Sequence, residues 1–417
     1  MKNIIKIFVV FAISNLFTNV IFGESASLKI LITEAKQNNP EIIAVREKWN
    51  ATKSKIWQER TWDNPQFFID YQRMPKNNFN LNDAEEKMFG ITQMVPFPGK
   101  LSIKGKIAKY DNDIAEIDYK NIELKVLSDL KSIYSMYFYI NKSIETYKQI
   151  SDYMQDFSKV AESKYIVGKA SQGDVLRAQV EFAKMLSMVI TMKQEKETVK
   201  AELNSIIGKD PDSELGEPED LMLKYMKNDW NEIKQLVIEN NFEIKKDNIN
   251  VSKSKWSKKS AYTEFLPDFD LTYRRRKMES AMDTQDFMLG FTFPLWFWKP
   301  MLAIKEMSSE LKMSESEKKN TELMNLSQAK EEFLKLKTLE RLIELYRTDI
   351  LGQAEQSQKV TEASYRVDKE DFLQVLDTTR TLLDLRLEYY RYITEYYQNL
   401  SKLEKITGVE LSGGGSK

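Results

Sequence analysis

The side chains available for chemistry in this chain are carboxylates, lysines, tyrosines, serines and methionines, because its 417 residues include neither His nor Cys. That absence removes disulfides, imidazole and thiolate metal ligands, catalytic triads and thiol nucleophiles. Carboxylate pairs of the glycosidase kind carry no signal when 63 Asp and Glu and 62 Lys and Arg are spread along the chain. No phosphate-cradling glycine loop, nucleophile elbow or pocket-building βαβ pattern is present. No catalytic residue is assigned, and the chain is not read as an enzyme. Met88, Met94, Met278, Met282 and Met288 lie on or beside predicted strands. Thioether sulfur suits Cu(I), but Met also fills apolar gaps and these positions are read as alternating between strand faces, so neither a metal site nor a cofactor is expected. A net charge of −1 argues against nucleic acid as a partner.

The elements that would position any functional group are unusual. Lys2 and Lys6 precede an apolar run from Ile7 to Ile13 and then Gly23, the order of a secretory signal peptide, taken as 1–23; the run is shorter than the ~18 residues of a membrane span. No Pro falls between Gly99 and Lys209 or after Pro300, and both stretches are rich in helix formers, which predicts two very long helical regions. The run from about Leu101 to Ser163 would reach ~95 Å at ~1.5 Å per residue. The two halves repeat each other: Asn38-Asn39-Pro40-Glu41-Ile42 returns as Asn240-Asn241-Phe242-Glu243-Ile244, Gly90 as Gly290, Tyr165-Ile166-Val167 as Tyr365-Arg366-Val367, and Gly208 as Gly408. The division is a first repeat over 24–208, a linker over 209–228, a second repeat over 229–408 and a flexible tail over 409–417.

Each repeat carries two stretches with period-two alternation, hairpins at about 65–97 and 267–298. Phe67, Ile69 and Tyr71, Phe89 and Ile91, Phe269, Leu271 and Tyr273, and Phe287, Leu289 and Phe291 form the bulky face, opposite polar or small residues such as Asp70, Gly90, Thr92, Asp270 and Thr272. Such a face suits lipid, with the polar one lining water. Four strands cannot close a barrel, and an open edge is forbidden in hydrocarbon, so the chain must oligomerise. Trp62, Tyr71, Phe97, Tyr262, Trp296, Phe297 and Trp298 near the strand ends suit an interfacial girdle. On the first long helix, Leu124, Val126, Leu127, Leu130, Ile133, Tyr134 and Tyr137 form a wide apolar stripe suited to neighbouring helices. The competing reading is a secreted coiled-coil scaffold with hairpin insertions.

Signal peptide, twofold repeat, inserted hairpins, the turn Val95-Pro96-Phe97-Pro98-Gly99-Lys100 and the segment from Tyr165 to Leu176 resemble the TolC outer-membrane efflux family, most of all its heavy-metal branch. The resemblance implies a mostly α fold with β: a long α-helical barrel plus a transmembrane β-barrel, four strands per protomer, closed by three copies. It implies an outer-membrane channel of a diderm bacterium that exports metal cations or drugs, with a periplasmic adaptor and an inner-membrane pump of the RND type as partners. The constriction would lie at the turns 167–177 and 367–377. Asp377 matches one of the family's ring aspartates and Gln374 stands at the other. Asp174 and Tyr365 match a pair whose hydrogen bond holds the closed state, and Glu370 replaces an arginine of that network. Gly168, Lys169, Gly173, Asp368, Lys369 and Asp371 fall where adaptor hairpins would touch.

Overall fold

The computed structural model describes residues 26–74, 76, 80–278 and 282–411; the signal-peptide reading and residues 412–417 lie outside them. Nine α-helices and four strands are described, with a short 3-10 turn at Leu81–Asp83. In chain order they are α1 (Leu28–Asn38), α2 (Pro40–Gln58), β1 (Gln66–Gln72), β2 (Glu86–Val95), α3 (Lys100–Ile166), α4 (Gln172–Ile206), α5 (Trp230–Asn240), α6 (Phe242–Thr263), β3 (Asp268–Met278), β4 (Thr284–Thr292), α7 (Trp298–Leu345), α8 (Leu351–Arg366) and α9 (Phe372–Thr407). The 67 residues of α3 correspond to about 100 Å of helix. No described helix is both long and apolar enough to cross a membrane. Between α7 and α8 the helix does not stop but passes through a π-turn, Tyr346–Ile350, in which the Leu351 N–H reaches the Tyr346 carbonyl five residues back.

The chain packs as two compact units that cut across the repeats, each repeat contributing to both. Of the described residues, one unit comprises 26–39, 127–225 and 335–401. Its core joins Leu31 and Ala35 of α1, Leu130, Tyr134 and Tyr137 of α3, and Leu203 and Ile207 at the end of α4. The apolar stripe of α3 is therefore partly covered by the protomer's own helices. Fully burying such side chains stabilises by about 1.5–3 kcal/mol each. The segment 209–225, expected as a linker, is held closely: Tyr134 Oη donates to the Ala26 carbonyl, Tyr137 Oη to Gly216 and Tyr396 Oη to Lys224.

The sequence repeat is explained by a lock used twice. Asn39 Nδ2 donates to the Ile206 carbonyl at 2.9 Å, and Asn241 Nδ2 to the Ile406 carbonyl at 2.8 Å. Just beyond each carbonyl the helix ends in a left-handed glycine, Gly208 (φ 74°) and Gly408 (φ 72°), where a Cβ would lie 2.5 Å from the carbonyl oxygen of Asn38 or Asn240. Both requirements select Gly: the conformation and the close approach. Leu411, within the segment expected as a tail, is buried and its N–H donates to Glu404 Oε1 at 2.9 Å.

The second unit holds the sheet, antiparallel throughout in the order β1-β2-β3-β4. Both expected hairpins form, and β2 additionally pairs with β3, Ile91 opposite Tyr273 and Val95 opposite Phe269. β1 stops at Gln72 because Arg73 turns left-handed (φ 56°), its guanidinium 3.0 Å from Glu86. The Pro-Phe-Pro-Gly-Lys turn docks on the start of β3: the Phe97 N–H and Lys100 Nζ both donate to Asp268 Oδ1, at 2.8 and 2.9 Å.

Candidate functional site

Two regions carry the residues singled out by the sequence. In the sheet, cross-strand partners share a face, so the register places Phe67, Ile69, Tyr71, Phe89, Ile91, Phe269, Leu271, Tyr273, Phe287, Leu289 and Phe291 together on one side. Eight of the eleven are exposed, while Tyr71, Ile91 and Phe269 are half-buried. An apolar surface of this kind is far larger than scattered surface residues produce. The opposite face carries Asp70, Glu86, Thr92, Asp270, Thr272, Arg274, Arg276 and Asp286. There Phe68 lies over Gly90, so that a Cβ at Gly90 would meet its ring at 2.2 Å. Trp62, Tyr262, Trp296, Phe297 and Trp298 are exposed at the end of the sheet where the helices begin.

The methionines correct one expectation. Met88, Met94, Met278 and Met288 do not alternate: the register puts all four on the polar face, with Met282 in the β3–β4 connection. The period-two rule already required this, since all four numbers are even and the bulky face is odd. Met88 is buried, while Met94 and Met288 are exposed.

The other region is the pair of helix tips in the first unit. α3 ends in a left-handed Gly168 (φ 75°) with the Lys169 N–H donating to the Lys164 carbonyl at 2.7 Å. α8 ends identically, except that Asp368 (φ 62°) occupies the glycine position and the Lys369 N–H reaches the Ser364 carbonyl at 2.9 Å. The substitution has a use. The Asp368 carboxylate accepts from both Lys164 Nζ and Lys169 Nζ of the other tip, the latter at 2.6 Å. Lys164 also donates to the Tyr365 carbonyl at 2.6 Å. Hydrogen bonds from Lys164 and Lys169 hold the Asp368 carboxyl below the ordinary Asp range. Behind this clamp, the Phe157 ring packs on Tyr365 and Phe372 at 5.1 and 5.5 Å, within a core that includes Met154, Ala161, Ala178 and Val375.

The expected constriction residues divide by role. Asp377 and Gln374 are exposed and one turn apart on α9, with Glu370 exposed just before the helix. Asp371 caps α9, its Oδ1 accepting from the Gln374 N–H at 2.9 Å. Asp174 caps α4 in a reciprocal pair with Ser171, each contact 3.1 Å. Tyr365 is buried, and its hydroxyl has no hydrogen-bond partner among the described residues; burial, then the charges of Asp174 and Asp368, push its phenol up. Asp174 is thus near Tyr365 without bonding it. Gly168, Lys169, Gly173, Asp368, Lys369 and Asp371 are all exposed in the two tips. The ion pair between Arg380 on α9 and Glu181 on α4 was not expected; Glu181 is buried and Arg380 half-exposed. Its only sequence signal was an Arg one turn past Asp377.

The family model described as outer membrane efflux protein matches residues 31–209 and again residues 233–409. The fold is similar to that of CusC (TM-score 0.81, 14% identity, covering 95% of this chain and 96% of that one). It is also similar to VceC of Vibrio cholerae (0.76, 14%, 92% and 96%) and to the CmeC channel of Campylobacter jejuni (0.78, 13%, 93% and 87%). At these identities the likeness concerns the fold. No curated protein matches the chain in sequence.

Proposed function

Because the chain belongs to the outer membrane efflux protein family, we propose that it is the outer-membrane channel of a tripartite efflux system: a homotrimeric passive conduit from periplasm to exterior, opened by a periplasmic adaptor and energised by an inner-membrane pump of the RND type. The observation that carries this reading is the sheet. Its bulky face is exposed, and among the described strands β1 and β4 each pair on one side only. Unpaired edges are intolerable in hydrocarbon, and three copies joined edge to edge would remove all of them in twelve strands. Leu176, Val180, Leu186 and Ile190 form a further exposed apolar line on α4, suited to a helix of a sister subunit.

In this arrangement the tips close the inner end. Three Asp377 carboxylates, each with a Gln374 one turn away, form an acidic ring that draws cations and repels anions. The clamp of Lys164, Lys169 and Asp368 keeps the two tips of one protomer together, and the adaptor, touching Gly168 to Gly173 and Asp368 to Asp371, opens the ring only through higher affinity for the parted state. Metal cations or drugs are the cargo, selected by the pump rather than by a tight site in the conduit. Cross-linking in membranes and planar-bilayer recording test the proposal. A trimeric species with ion conductance is expected, whereas a water-soluble monomer without conductance would support the secreted scaffold and sink the channel.

A further inference from the structure

On the bulky face of the sheet the side chains change character abruptly toward the hairpin connections. Along β3 the order is Phe269, Leu271, Tyr273, Arg275, Lys277, and along β2 from the same end it is Val95, Gln93, Ile91, Phe89, Lys87. Lys87 stands directly opposite Lys277, and Arg275 directly opposite Phe89. Like charges facing each other across a strand pair are destabilising, so the sheet gains nothing from this arrangement. The polar face treats its cations differently. Arg274 is 3.1 Å from Asp286, and Arg276 is 3.4 Å from Asp286 and 3.8 Å from Glu86. On the bulky face, Arg275 reaches only the exposed Asp283 among the described residues, at 3.4 Å, and Lys87 Nζ donates to the Asn82 carbonyl at 3.0 Å. Among the described residues no carboxylate pairs with Lys277.

We propose that Lys87, Arg275 and Lys277 form a basic rim that binds the anionic phosphate headgroups of membrane lipid, holding the apolar band at a fixed depth in the leaflet on the hairpin side. The inference rests on the channel reading, which places this face against lipid. A cation just beyond an apolar band sits at headgroup level, where its charge meets lipid phosphate and its stem still covers apolar surface. The opposed pair Lys87 and Lys277 can straddle one phosphate, and Arg275 offers a fork that matches phosphate oxygens. Closure by three copies would repeat the rim three times around the barrel.

The test uses the purified trimer in mixed micelles of lipid A and phosphatidylcholine, with retained lipid counted by native mass spectrometry at low and high salt. The wild type should prefer lipid A, less so at high salt, and Lys87→Gln/Arg275→Gln/Lys277→Gln should lower that preference at least roughly tenfold while conductance persists. The polar-face control Arg274→Gln/Arg276→Gln should leave the preference in place. If the triple variant does not assemble, Lys277→Glu alone must lower retention. Equal retention by wild type and variants, or equal loss from the control, would overturn the rim while leaving a conducting trimer intact. A wild type that forms no conducting trimer would overturn the channel reading and the rim together.

Discussion

Replacing Arg380 by Gln isolates the pair that ties α9 to α4 behind the tips. The Glu181 side chain retains 7% of its accessibility and that of Arg380 49%. Removing one partner of a fully buried pair costs about 3–5 kcal/mol, because a charge is left in a poorly solvated place. Water reaches half of this guanidinium, so the expected loss is about 1–3 kcal/mol. Asp377 and Asp384 also act on Arg380, so the substitution removes a cation shared by three acidic groups. A loss of that size multiplies the population of locally opened tips by roughly 5 to 150. Hydrogen exchange should therefore quicken by that factor at amides near the starts of α4 and α9, with little change near Asn39 and Gly208, and closed-state conductance should rise. Glu181→Gln/Arg380→Gln removes both charges and should recover most of the protection. Unchanged exchange in the single variant, or a double variant no better than the single, would refute the reasoning.

Asp377→Ala should weaken cation selectivity or cation block in single-channel recordings; a channel identical to wild type in both would remove Asp377 from the constriction. The pH response of the clamp follows from the depressed Asp368 carboxyl. A lowered folded-state value means that the stabilisation is complete above the ordinary Asp range and is lost only as pH falls through the lower value. Conductance should stay closed from neutral to mildly acidic pH and rise in stronger acid, whereas Asp368→Asn should be leaky throughout, and an identical pH curve for that variant would count against the clamp. Gly168→Ala meets no atom within 4 Å and bears only left-handed strain, about 1–2 kcal/mol. Gly208→Ala adds the 2.5 Å encounter with Asn38 and should cost about 1–3 kcal/mol more; equal melting temperatures for the two variants would refute the lock.

The strands, their hairpins and the bulky face were legible because period two is a local signal that burial and exposure both obey. The β2–β3 pairing was not: Ile91 and Tyr273 are distant in sequence, and nothing local in either strand names its neighbour. The Asn39 and Gly208 motifs were visible as repeats, but only folding shows that one half of the lock closes on the other. At the tips, an Asp at the position held by Gly168 in the first copy was the readable sign that Asp368 has a partner worth its backbone strain. Asp174 and Asp371 look the same in sequence whether they cap a helix or line a passage, and the structure uses both carboxylates for caps.

The π-turn has a bearing on which changes of length the chain can absorb. It carries one residue more than an α-helix needs to cover the same rise, and Tyr346 within it is fixed by its bond to Glu388 at 2.6 Å. Excising a single residue from Thr348 to Ile350 would restore an unbroken ladder and leave α8 facing as it does now. The same excision midway along α3 would swing everything after it by about 100°, carrying Phe157 out of the tip core. One copy of the duplicated helix thus holds a spare position, where a single deletion can be accepted without disturbing the end of the rod.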